Sequence, residues 1–182
     1  MHQRNSGFSL LEVLTVVGLI MIVSSVAVVQ MRQSMTILDA DRAANLVMGQ
    51  MRYARQVAVD QRRDVLLEFT GTNEITVTRL DPGSVETLLS EVTLPSGYAF
   101  GLPSGVGDTP DGYGNSGAVV FGSAGSGTFL GDGILVNSSG IVVNGSVFTI
   151  GSGNGSARAI TLNGASGRVK QYAITGTTWV ER

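Results

Sequence analysis

Residues 7–29 read GFSLLEVLTVVGLIMIVSSVAVV, and this stretch decides how the rest of the chain is interpreted. Between residues 8 and 29 the only charged side chain is Glu12. As a helix rising about 1.5 Å per residue, the run extends about 33 Å, which matches the hydrocarbon core of a bilayer. We therefore predict a membrane-spanning helix over residues 8–29.

The flanks of the run argue against a cleaved secretory signal peptide. Such a peptide has a shorter apolar region and ends at a small-residue cleavage site, whereas this run ends in QMRQ. The preceding segment MHQRNS carries Arg4 and the initiator amine but no acid. By the positive-inside tendency, we predict that the N-terminus stays in the cytoplasm and that the rest of the chain lies outside it.

Glu12 needs an explanation, because a carboxylate inside a membrane span costs a few kcal/mol or more and usually has a partner (about 3 kcal/mol on insertion scales). The span itself holds no basic residue, and Arg32 lies at its far side. Cleavage after Gly7 would create an α-amino group at Phe8. On a neighbouring copy shifted along the helix axis, that amine can lie directly opposite Glu12.

Residues 7–12, GFSLLE, resemble the processing site of type IV prepilins and type II secretion pseudopilins. In that pattern a short basic leader ends in Gly, the first mature residue is Phe and the fifth is Glu. The leader at residues 1–7, the glycine Gly7, Phe8 and Glu12 match every part of it.

The resemblance implies a set of site residues and partners. A prepilin peptidase would cleave between Gly7 and Phe8, Phe8 would be N-methylated, and Glu12 would contact the N-terminus of a neighbouring subunit. The other implied partners are pilins or pseudopilins of the same filament, an inner-membrane assembly platform and membrane lipid. The implied location is the inner membrane, crossed once, with a periplasmic C-terminal domain that joins the filament after assembly.

Beyond the span, residues 30–63 contain no proline and are rich in helix-forming residues, so we predict an amphipathic continuation of the same helix. Arg42 and Asp60 interrupt its predicted apolar side. That side consists of Met31, Met35, Leu38, Leu46, Tyr53 and Val57. Four arginines near the end are interpreted as a solvated face, namely Arg52, Arg55, Arg62 and Arg63.

From residue 64 the apolar pattern changes to a period of two. Runs 64–70 and 73–80 predict a hairpin, and run 84–94 predicts a third strand. Residues 95–133 are rich in Gly, Ser, Pro and Asp, which predicts loops around the short strand GAVVF. Further short runs follow, namely ILVN, GIVVN, SVFTI, ARAITLN, RVKQYAI and TTWV. Residues 64–182 therefore predict a Gly-rich antiparallel β domain.

The second half of the chain resembles the GspH/FimT group of minor pseudopilins. In that group a strand ends in Phe-x-x-x-Gly, and a late pair of strands reads Ile-x-Leu followed by Gly-Arg-Val. The matching residues are Ile160, Leu162, Gly167, Arg168 and Val169. The resemblance implies an α+β, type IV pilin-like fold, with a long N-terminal helix packed on the antiparallel β domain.

The composition argues against an enzyme. The chain has no cysteine, its one histidine is His2 in the predicted leader, and its only lysine is Lys170. The usual general base and the thiol and imidazole ligands are therefore missing after cleavage. We predict no catalytic residue, no metal site and no cofactor. The acidic stretch DTPDGYGN lacks the ligand spacing of a calcium loop and is interpreted as a turn region, with a bound cation as the alternative.

Two functions fit these patterns. The first is a minor pseudopilin subunit of a type II secretion pseudopilus, which supports protein export across the outer membrane. The alternative is a type IV minor pilin of FimT/FimU type, acting in pilus assembly or DNA uptake. DNA is a partner only in the alternative, where Arg168 and Lys170 would contact it, because a Gly-Arg-x-Arg element serves this purpose in that branch. Arg158 and Arg182 would complete one compact basic spot.

Overall fold

The structure is a computed structural model that describes residues 9–122, 125–151 and 156–182, without the side chains of residues 26–34. The chain divides into an N-terminal unit ending at Thr36 and a second unit, Ile37–Arg182. One helix, α1 (Leu10–Gln61), and eleven strands lie within the described residues. The strands are β1 (Asp64–Thr70), β2 (Glu74–Asp81), β3 (Val85–Thr93), β4 (Tyr98–Phe100), β5 (Val119–Phe121), β6 (Ser126–Phe129), β7 (Leu135–Val136), β8 (Gly145–Gly151), β9 (Arg158–Leu162), β10 (Val169–Thr175) and β11 (Thr178–Glu181).

In the N-terminal unit, large apolar side chains of α1 are exposed from Leu10 to Val23. Over the part of the chain that the structure describes, no helix meets the length and apolarity needed to cross a membrane.

The C-terminal end of α1 has the hydrogen bonds of a Schellman cap. Arg62 adopts a left-handed backbone conformation with a φ of 50°. Its amide donates to the Val59 carbonyl at 3.4 Å, and the Arg63 amide donates to the Ala58 carbonyl at 3.2 Å. The helix therefore ends at Gln61, two residues before the predicted boundary at residue 63.

The buried face of α1 in the second unit is rich in alanine and differs from the predicted face. Its fully buried residues are Ala40, Ala43, Ala44, Val47, Met51, Ala54 and Ala58. Leu38 and Tyr53 of the predicted apolar side are 66% and 41% exposed, and Met35 of the same side, which belongs to the N-terminal unit, is 55% exposed. The prediction gave weight to large side chains, whereas the face of α1 that packs into the main core consists mainly of alanine. Leu46 and Val57 are partly buried, and the side chain of Met31 lies outside the described residues.

The strands form two antiparallel sheets. The first has the order β3-β2-β1-β6-β7, and the second has the order β11-β10-β9-β8-β4, with β5 also pairing with β8. The predicted hairpin is confirmed by the pairing of β1 with β2, in which Leu67 lies opposite Val77. The main core joins the alanine face of α1 to residues of both sheets, including Val65, Phe129 and Ile160. This arrangement confirms the predicted α+β fold, in which a helix packs on antiparallel sheets.

Two strands form where the sequence predicts only loops. β4 pairs with β8, and β6 pairs with β1. β6 contains Gly127, where an added Cβ would lie 2.9 Å from a Leu135 side-chain atom and 3.3 Å from a Phe121 side-chain atom. The glycine that weakens the strand signal is therefore needed for close packing of β6. Conversely, the predicted run GIVVN forms only an isolated bridge between Val136 and Val142.

Candidate functional sites

Of the three residues predicted for processing and assembly, the structure describes Glu12, which lies in the first turn of α1. Ser9 caps the helix, because its Oγ accepts a hydrogen bond from the Glu12 amide at 3.2 Å. The Ser9 carbonyl also accepts from the Glu12 and Val13 amides, at 3.1 and 3.2 Å. Ser-x-x-Glu is the spacing of a capping box, which marks a helix start independently of the apolar run from which the span is predicted. The cap places Glu12 in the first turn, near the positive end of the helix dipole.

The Glu12 side chain is exposed. Among the described residues, nothing forms a hydrogen bond or an ion pair with its carboxylate. The predicted cleavage residues Gly7 and Phe8 lie outside the described residues, so the predicted processing site is seen only at its C-terminal side.

The second predicted site lies at the start of β10. Arg168 is exposed and directly precedes the strand, whereas Lys170 lies on the strand opposite Thr161 of β9. The Lys170 Nζ is 3.2 Å from Asp111 Oδ1, 3.2 Å from Glu181 Oε2 and 3.4 Å from the Tyr172 hydroxyl. Lys170 is therefore not a freely solvated cation. Its ammonium group is partly buried and is compensated by two carboxylates.

Asp111 is the acceptor at the centre of this network. Besides Lys170, it accepts hydrogen bonds from Thr161 Oγ1 at 2.6 Å and from the Tyr172 hydroxyl at 2.7 Å. Burial acts to raise the pKa of Asp111, but the hydrogen bonds from Thr161, Tyr172 and Lys170 outweigh it and lower the pKa below 3.8. The same hydrogen bond to Asp111, followed by that to Glu181, raises the pKa of Lys170.

The acidic loop before β5 uses its carboxylates to hold its own conformation. Asp108 accepts hydrogen bonds from the Thr109 amide at 2.7 Å and from the Gly114 amide at 3.0 Å. Asp111 connects the same loop to β9 and β10, and the Trp179 indole donates to the Gly107 carbonyl at 3.0 Å. Over the described part of the chain, no group of three acidic, histidine or cysteine side chains is arranged to hold a metal ion.

The compact basic spot expected from four cations does not form. Arg158 is 1% exposed, and its Nε lies 2.7 Å from Asp41 Oδ1 on α1. Arg182 lies 3.0 Å from the other oxygen of Asp41. The structure thus places Arg158 and Arg182 at Asp41 and Lys170 at Asp111, whereas Arg168 is exposed and forms no ion pair among the described residues. Period-two reasoning along the strands cannot show this division, because both acids come from distant parts of the sequence.

A family model described as the prokaryotic N-terminal methylation motif matches residues 2–28. No curated protein matches the chain in sequence. The motif implies processing by a peptidase and a membrane-anchored N-terminus.

Among solved structures, the chain is similar to the type IV minor pilin FimU of Pseudomonas aeruginosa. The TM-score is 0.51 and the identity 16%, over 77% of this chain and 91% of that chain. A second crystal form of FimU gives a TM-score of 0.49 at 16% identity, over 77% and 96% of the two chains. The minor pseudopilin EpsH from the type 2 secretion system of Vibrio cholerae gives 0.43 at 14% identity, over 79% and 94%.

The likeness to the first FimU structure agrees with the described arrangement of an N-terminal helix and two antiparallel sheets. The chain therefore carries a prokaryotic N-terminal methylation motif at residues 2–28 and has a type IV pilin-like fold.

Proposed function

We propose that the chain is a minor pseudopilin subunit of a type II secretion pseudopilus, assembling through its N-terminal helix to support protein export across the outer membrane. The observation that carries this proposal is Glu12. It is an exposed carboxylate in the first turn of α1, it has no partner among the described residues, and it lies within the methylation motif at residues 2–28.

Assembly would supply the missing partner of Glu12. Cleavage after Gly7 by the prepilin peptidase gives Phe8 a cationic α-amino group, and N-methylation leaves that positive charge in place. Pairing of this amine with Glu12 of an adjacent subunit neutralises a carboxylate whose cost in lipid would otherwise be about 3 kcal/mol. The gain arises only when two subunits lie side by side, so it favours the filament over isolated subunits.

The proposed location follows from the same helix. The N-terminus lies in the cytoplasm, residues 8–29 cross the inner membrane once among its lipids, and the β domain lies in the periplasm. An inner-membrane assembly platform would add the subunit to other pseudopilins of the filament. The role is structural, and we propose no catalytic activity for it.

A second candidate is a type IV minor pilin of FimT/FimU type, and the likeness to FimU over 77% of this chain favours it. Its DNA-uptake form is less well supported, because Asp111 and Glu181 already compensate Lys170. A phosphate would have to displace two carboxylates to use that charge, which leaves Arg168 as the one exposed cation of the predicted pair.

Deletion of the gene in its native host, followed by complementation, separates the two candidates. Loss of type II substrates from the culture medium, with normal pili and DNA uptake, supports the pseudopilin. Loss of pili, of pilus-dependent motility or of DNA uptake, with normal secretion, supports the minor pilin. If secretion, piliation and DNA uptake are all unchanged, both assignments are wrong.

A further inference from the structure

A cavity of about 400 Å³ lies beside the last turns of α1, apart from the two sites described above. It is formed by the helix together with the β6–β7 turn and the β9–β10 turn. Its lining residues are Arg52, Arg55, Gln56, Val59, Asp132 and Gly167.

Arg55 is held in this cavity by two glycine turns. Its Nε donates a hydrogen bond to the Gly133 carbonyl at 3.1 Å. A Cβ at Gly167 would overlap the Arg55 side chain, and one at Gly133 would lie 3.1 Å from its Nε. Both glycines also have a positive φ, of 85° and 67° for Gly133 and Gly167, which other residues rarely adopt. The guanidinium group is therefore fixed against backbone, in contrast to the freely solvated arginine expected from the sequence.

The outer part of the Arg55 guanidinium remains available. Within the described part of the chain, its two terminal nitrogens form no hydrogen bond or ion pair. Arg52 lies about one helical turn earlier, is exposed, and likewise has no described ion-pair partner. The two side chains thus place two cations at one cavity.

The acids near the cavity offset only part of this charge. Asp132 uses its Oδ1 to accept a hydrogen bond from the Ile134 amide at 3.0 Å. Gln56 donates to both oxygens of Asp60, at 2.8 and 2.9 Å. Two guanidinium groups therefore face one lining carboxylate, and a second carboxylate lies one turn along the helix.

We infer that this cavity binds a carboxylate side chain presented by a neighbouring subunit of the filament, an inference that rests on the proposed role in filament assembly. A guanidinium whose Nε is already fixed presents its remaining donors in one plane, which suits the two oxygens of a carboxylate. A long polyanion fits less well, because Asp132 and Asp60 would repel its successive charges. The partner is therefore an acidic side chain of the neighbouring subunit and not a nucleic acid.

Fluorescence anisotropy with the purified full chain in detergent tests this directly. The probes are a labelled hexapeptide that carries a single glutamate and a labelled DNA duplex, compared at the same salt concentration. We expect Arg52→Gln combined with Arg55→Gln to weaken peptide binding at least tenfold. Arg42→Gln removes an exposed charge elsewhere on α1 and should leave binding unchanged.

Two further variants separate binding from folding. Arg52 contacts no described partner, so Arg52→Gln alone should preserve the melting temperature and still weaken peptide binding severalfold. Gly167→Ala keeps every charge but displaces Arg55, and it should also weaken binding. Equal peptide binding by wild type and the double variant would overturn the inference, and so would tighter binding of the DNA duplex through the same two arginines.

This measurement does not depend on filament assembly, because it uses isolated protein. If the peptide result is negative while Glu12 variants still block assembly, only the cavity inference fails. If the cavity binds the peptide but the chain never enters a filament, the proposed function fails and the carboxylate must come from another partner.

Discussion

The proposed function depends on Glu12 more than on any other single side chain. Its position at the third residue of a capped helix allows two roles, pairing with a neighbouring Phe8 amine or closing a capping box with Ser9. The two roles differ in what they need. Pairing with an amine requires a negative charge, whereas a capping box accepts either Glu or Gln.

We therefore predict that Glu12→Ala and Glu12→Gln both leave membrane insertion and cleavage largely intact but reduce incorporation into filaments at least tenfold. The measurement is the fraction of the subunit that co-purifies with sheared or cross-linked filaments. Thr15→Ala removes a nearby side-chain hydrogen bond without changing charge, and it should assemble normally. Full assembly of the Gln variant would assign Glu12 to the cap instead.

Gly7 is the other residue with a specific prediction. A peptidase must bring the scissile carbonyl close to its catalytic groups, and a side chain before the cut would crowd that approach. Gly7→Val should therefore abolish processing, so that mass spectrometry of the intact variant shows Met1 retained, while wild type begins at a methylated Phe8. Asn5→Ala serves as the control in the leader. Wild-type protein that keeps Met1 in cells with an active peptidase contradicts the prediction.

At the scale of single elements, the C-terminal cap of α1 is a place where one substitution can increase the stability of the protein. Its Schellman cap places Arg62 where glycine is normally found, with a φ of 50°. A side chain in this conformation costs about 1 kcal/mol relative to glycine. Among the described residues, the Arg62 side chain forms no ion pair that would favour arginine over glycine at this position.

Arg62→Gly should therefore stabilise the protein by about 1 kcal/mol, measured as a higher urea midpoint of the purified full chain. Arg63→Gly makes the same change in composition one residue later, where the backbone is not left-handed, and it should be neutral or destabilising. A lower midpoint for Arg62→Gly than for wild type would show that the arginine side chain stabilises the cap in another way.

At the scale of the whole molecule, two acids from distant segments connect the helix and the loops to the second sheet. Asp41 joins α1 to Arg158 and Arg182, and Asp111 joins the loop before β5 to β9 and β10.

Asp41→Asn removes the carboxylate facing a buried guanidinium, so we expect a loss of about 3 kcal/mol in unfolding free energy. Asp39→Asn, two residues earlier and exposed, should change the urea midpoint little.

Asp111 is expected to make the stability of the folded protein fall as the pH becomes acidic. Its pKa is lower in the folded state than the ordinary 3.8, so its contribution to stability is complete above that value. The contribution is lost as pH falls through the lower, folded-state pKa. Asp111→Asn should therefore reduce stability at neutral pH and flatten the loss of stability below about pH 4. Glu86→Gln changes an exposed carboxylate and should retain the wild-type acid profile. If the stability of wild type and of Asp111→Asn depends on pH in the same way, the predicted contribution of the Asp111 hydrogen bonds is wrong.

The features that the sequence determined are local. The apolar run around Glu12, the Gly-Phe junction, the β1–β2 hairpin and the change of period after residue 63 each depend on neighbours in the chain, so spacing and residue type were enough to predict them. The type IV pilin-like fold and the predicted assembly role of Glu12 come from the resemblance that these local features carry.

Only the tertiary structure decided which surfaces are buried and which charges are compensated. The alanine face of α1, the strand at Gly127 and the positions of Arg158, Lys170 and Arg55 all depend on segments far apart in sequence. A search for large apolar side chains at a helical period cannot show that the buried face of the helix consists mainly of alanine. Likewise, the sequence of a strand does not show which acid from a distant loop will pair with its cation. Pairing of buried charges depends on three-dimensional proximity and desolvation.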